Sequence, residues 1–110
     1  MIRSVFLALL AFFTIGVQVS NAQSKIASEE FFIDSQAPNT KLYVLNKYAQ
    51  DKKNFSSDKV VLFVHGATYP AETAFDLDLP GGGSWMNYIA ERGYDAYLVD
   101  VRGYGKSTRP

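Results

Sequence analysis

The sequence predicts an α/β domain, and three observations predict it. Val60 to Val64 (VVLFV) is a continuous apolar run that stops at His65-Gly66, the pattern of a strand buried on both faces. Trp85 to Arg92 (WMNYIAER) has helical spacing, with Ser84 placed to cap it and Gly93 to end it. Tyr94 to Val101 (YDAYLVDV) then returns as a second apolar strand. Strand, helix and strand in that order imply a parallel crossover.

The remaining elements follow along the chain. Met1 to Ala22 reads as a signal peptide, which leaves residues 23 to 110 as a single partial domain. Arg3 supplies the positive start, Val5 to Val17 is apolar, and the small residues Ser20 and Ala22 suit the peptidase, with the cut before Gln23. The apolar run falls short of the roughly 20 residues that span a bilayer. The expected location is therefore secreted or periplasmic, with no stable membrane anchor after cleavage. Glu29 to Ser35 (EEFFIDS) reads as a short strand, and Pro38 and Asn39 mark a turn. Thr40 to Ala49 (TKLYVLNKYA) reads as a second strand, forming an antiparallel hairpin with the first. Gln50 to Asp58 is a polar loop. His65 to Gly83 is one long irregular stretch with Pro70, Pro80 and three consecutive glycines, and long loops in compact domains tend to be functional. Trp85, Tyr88 and Ile89 share one helical face, and Trp85, Tyr88, Tyr94 and Tyr97 are expected in the core.

Composition removes several function classes. A chain of 110 residues holds at most one domain. Eleven basic and eleven acidic residues balance to zero net charge, so no nucleic-acid partner is expected. Without cysteine there is no disulfide, thiol nucleophile or thiolate metal site, and a single histidine rules out sites built on histidine pairs. No metal and no cofactor is expected. Gly105-Lys106-Ser107 ends like a phosphate-binding loop, but the glycine needed five residues earlier is Asp100, whose carboxylate repels phosphate.

Two motifs carry chemistry. His65-Gly66-Ala67 follows an apolar strand, where a backbone N–H can face a ligand and Gly66 offers no side chain to block it. Asp100 to Ser107 (DVRGYGKS) follows the next strand, with two glycines at turn positions. Together, in this order and with a helix between them, they resemble the α/β-hydrolase family, whose members show His-Gly-x and then D-x-R-G-x-G-x-S. The resemblance covers roughly residues 29 to 110. It implies the N-terminal part of an α/β-hydrolase sheet, an antiparallel hairpin leading into parallel strands with a crossover helix. The fold is expected to be incomplete at Pro110, because strands buried on both faces need more helices than this chain offers.

The resemblance also implies an exported hydrolase acting on a small-molecule ester, amide or related bond. Ala67 would donate a backbone N–H to the oxyanion hole. His65, Gly66, Thr68 and Tyr69 would form the oxyanion loop and pocket mouth. The His65 ring is expected to bond neighbouring backbone, with direct substrate contact as the alternative. Asp100 and Arg102 are expected to brace their loop through backbone hydrogen bonds and a local ion pair. None of the triad is present: no G-x-S-x-G occurs, and His65 precedes every position where the family's base would follow its nucleophile. The chain alone is expected to be inactive, as a truncated N-terminal portion. The alternative is a non-enzymatic secreted binding module complete at this length.

Overall fold

The computed structural model describes residues 24 to 81 and 83 to 110; the signal peptide read over 1 to 22 lies outside them. Strands β1 (Ile26–Asp34) and β2 (Lys41–Ala49) pair antiparallel along their whole length, from Ile26 opposite Ala49 to Asp34 opposite Lys41. Their aromatic and branched residues suit a pleated surface. The connection closes through Ser35 N–H to Thr40 C=O (3.0 Å), with Asn39 in the left-handed region at φ 56°, a conformation asparagine tolerates. A single 3₁₀ turn over 57 to 59 leads into β3 (Val60–Val64). Helices α1 (Ala71–Phe75) and α2 (Trp85–Glu91) precede β4 (Asp95–Val99).

The sheet order is β1-β2-β4-β3. Strand β4 runs antiparallel to β2, with Val44 opposite Val99, and parallel to β3, with Val64 opposite Val99. This overturns the expected α/β-hydrolase half of parallel strands joined by crossover helices. The domain is a small mixed sheet in which two of the three pairings are antiparallel, and its α-helices are five and seven residues long. The physical cause is twofold. β4 inserts between β2 and β3, which puts β2 against it in the antiparallel sense. Pro70, Pro80, Gly81 and Gly83 break the intervening chain into short helical pieces. The stretch from His65 to Gly83, expected to be irregular throughout, contains α1.

The helices lie on one face of the sheet. There Tyr43, Leu45, Phe63, Ala71, Met86, Ala96 and Leu98 form the core, with Val61, Phe75 and Ile89 packed against it. The expected burial of β3 on both faces does not occur: Phe63 is buried, but Leu62 is 59% exposed and Val60 and Val64 are exposed with it. The reason is that β3 is an edge strand and nothing among the described residues covers the second face.

The helical face is also corrected. Met86 and Ala90, one turn apart, are the fully buried residues of α2, whereas Trp85 and Tyr88 are 57% and 52% exposed. Trp85 packs its edge on Phe63 (5.3 Å between centroids), and Arg92 lies 3.3 Å over the Tyr88 ring. Ser84 caps the helix by accepting the Asn87 N–H at 3.0 Å, and Gly93 ends it at φ 88°.

Candidate functional site

Because β3 and β4 are parallel neighbours, the loops that follow them leave the same end of the sheet. The second loop is built around a buried carboxylate. Asp100, 1% exposed, accepts the Ala71 N–H at Oδ1 (2.9 Å) and the Lys106 N–H at Oδ2 (3.0 Å). A buried charge needs such partners. The loop must pass so close to this carboxylate that a Cβ on Gly105 would lie 2.0 Å from Oδ2, which is why glycine stands there. Ser107 completes the closure: its hydroxyl donates to the Asp100 C=O (2.6 Å) and accepts the Tyr43 N–H (2.8 Å). The expected ion pair between Asp100 and Arg102 is not formed; backbone N–H groups occupy the carboxylate, and Arg102 is exposed without an ion pair among the described residues.

The first loop is held through His65, which is buried. Its Nε2 accepts the Val101 N–H at 2.9 Å, so Nδ1 carries the proton and donates to the Gly66 C=O at 2.6 Å. The Tyr104 ring lies 4.5 Å from the imidazole, and its hydroxyl donates to the Ala67 C=O at 2.8 Å. Ala67 itself is exposed, and its N–H donates to no group among the described residues. Thr68 and Tyr69 are exposed on the same loop. A Cβ on Gly66 would meet nothing within 4 Å, so its neighbours do not demand glycine there.

A third cluster fastens α1 to the second loop. Lys106 Nζ donates to Glu72 Oε1 (3.1 Å) and to the Tyr43 hydroxyl (3.3 Å), and that hydroxyl donates to Glu72 Oε1 (3.1 Å). Burial pushes the Tyr43 phenol up to about 12, with Lys106 opposing and Glu72 adding. Desolvation works against the charge of Lys106, but its bonds to Tyr43 and Glu72 outweigh that and hold it above the usual lysine range.

The two motifs therefore meet in space, and His65, Gly66, Ala67 and Asp100 belong to one pair of linked loops. Sequence reasoning missed Tyr104, Ser107 and the Tyr43–Glu72–Lys106 cluster. Ser107 stands in a quoted motif position, whereas Tyr104 fills a variable one and Glu72 sits in a stretch without a pattern. The Ser107 hydroxyl is held between the Asp100 C=O and the Tyr43 N–H, and the Ser84 hydroxyl accepts the Asn87 N–H and donates to the Asp76 carboxylate. Among the described residues no group of three or more His, Asp or Glu could hold a metal ion. No helix among them is long and apolar enough to cross a membrane. No protein-family model matches the chain, and no curated protein matches its sequence.

Proposed function

We propose that the chain carries the oxyanion side of an exported hydrolase of ester, amide or related bonds, as its two motifs suggest by their resemblance to α/β-hydrolases. The observation that supports this reading is the Ala67 N–H, carried by an exposed residue and without a partner among the described residues, beside two carbonyls that are both engaged. As a carbonyl substrate is attacked, negative charge grows on its oxygen, and an oriented N–H stabilises that charge more than it stabilises the ground state. The sequence holds no G-x-S-x-G nucleophile, and His65 has both ring nitrogens engaged. The described residues are inactive alone, and a small-molecule substrate needs a nucleophile, base and acid from elsewhere. No cofactor is invoked.

The test uses the protein as its natural host exports it, assayed on a panel of p-nitrophenyl esters and anilides. Ala67→Pro deletes the N–H, and kcat falls about 10²- to 10³-fold with little change in KM. Ala67→Gly keeps the N–H and retains kcat, which separates donor loss from misfolding. An exported protein that turns over none of these substrates, or a Pro variant with unchanged kcat, would sink the reading.

A non-enzymatic secreted binding module is favoured by a different observation, the exposed apolar sheet face at Phe31, Ile33, Val60, Leu62 and Val64. Absence of turnover together with a cooperative thermal transition for residues 23 to 110 would select it.

A further inference from the structure

We infer that Tyr104 is a positioning residue which, together with His65, aims the Ala67 N–H; this rests on the hydrolase reading above. Ala67 lies between two peptide units, and each has its carbonyl held. The unit joining Gly66 to Ala67 is fixed by His65 Nδ1–H on the Gly66 C=O, at 2.6 Å. In a planar trans peptide the C=O and the N–H point in opposite directions. Pinning the Gly66 carbonyl to the imidazole therefore turns the Ala67 N–H away from the ring. Accepting that bond also polarises the unit and strengthens its N–H as a donor. The unit joining Ala67 to Thr68 is fixed by the Tyr104 hydroxyl on the Ala67 C=O, at 2.8 Å. With both flanking planes held, the orientation of Ala67 is set by side chains from two separate loops.

Tyr104 is itself presented from a rigid base. Its N–H donates to the Val101 C=O (2.9 Å), and its C=O accepts the Ser107 N–H (3.0 Å). Gly103 and Gly105 flank it at φ 90° and 49°, so the turn is tight on both sides. Beneath it Asp100 holds the loop to α1 through Ala71. The Tyr104 ring also sits against the imidazole, 4.5 Å between centroids, and keeps it from turning off the Gly66 carbonyl. The constraint thus runs from the buried carboxylate, through the turn and the phenol, to the residue carrying the free N–H. A mere brace between the loops would require the same contacts but would not act on the transition state.

Tyr104→Phe removes one hydroxyl and separates the two roles. In the exported protein, kcat falls on the order of tenfold with KM unchanged, as expected when a donor is misaligned without loss of binding. In ¹⁵N-correlated spectra of the same protein, the Ala67 and Thr68 amide signals shift and broaden, because their peptide planes are freed. If Ala67→Pro lowers kcat while Tyr104→Phe leaves it unchanged, the positioning role is overturned and the hydrolase reading stands. If neither substitution changes kcat, both fall. Unaltered Ala67 and Thr68 signals in Tyr104→Phe overturn the clamp whether or not the protein turns over substrate.

Discussion

Gly105 and Gly66 stand one in each linked loop, and the surroundings treat them differently. Gly105 has a positive φ of 49° and no room beside the Asp100 carboxylate, whereas Gly66 has open space where a side chain would go. Gly105→Ala should destabilise by more than about 1 kcal/mol from backbone strain alone, with the clash adding to it. Gly66→Ala should stay within about 0.5 kcal/mol. Urea unfolding of the two variants checks the contrast, and equal midpoints would contradict the packing described for Asp100. Neither glycine could be ranked from the sequence, where both stand at turn positions after a strand. The ranking depends on a contact between positions 100 and 105 that exists only once the loop is closed.

Helix α2 shows the same dependence at the scale of an element. Its existence and limits were legible from Ser84, Gly93 and the spacing between them, and the cap forms as the residue types imply. Which face turns inward was not. The apolar residues at i, i+3 and i+4 pointed to Trp85, Tyr88 and Ile89, yet Met86 and Ala90 are the residues fully buried against the sheet, with Ile89 at their side and Trp85 and Tyr88 turned outward. Small Ala90 lets the backbone approach the strands, and flexible Met86 fills the gap that remains. Met86→Ala should therefore cost about 2–5 kcal/mol as a cavity opens. Tyr88→Ala should cost under about 1 kcal/mol, chiefly its contact with Arg92. Thermal denaturation of both variants would decide between the faces, and a larger loss from Tyr88→Ala would restore the face read from the periodicity.

For the whole molecule, the Tyr43–Glu72–Lys106 cluster makes stability depend on alkaline pH. Tyr43 titrates at about 12 in the folded chain against an ordinary 10.0, and Lys106 is also raised. Between those values the folded state holds protons that the unfolded state has released, so stability falls as pH rises. The contribution is fully present below about pH 10 and is lost as pH passes 12. The urea midpoint should drop progressively across this window, and Tyr43→Phe should flatten the drop. A midpoint independent of pH from 9 to 12 would refute the coupling. The same cluster joins β2, α1 and the loop after β4, which explains why no short sequence window announces it.

The strands, the capped helix and the two chemically suggestive loop motifs were determined by the sequence alone, because each rests on neighbours within about ten residues: apolar runs, cap residues and glycine turns. The tertiary structure alone decided the sheet order, the single covered face and the burial of Asp100. Inserting β4 between β2 and β3 sets the mixture of strand directions, and an apolar strand such as Val60–Val64 has the same composition whether one face or two is covered. The hydrogen bonds of Ala67's neighbours likewise come from His65 and Tyr104, and Tyr104 stands 37 residues away in the chain. Its phenol reaches that carbonyl only because parallel pairing of β3 and β4 brings both loops to one end of the sheet.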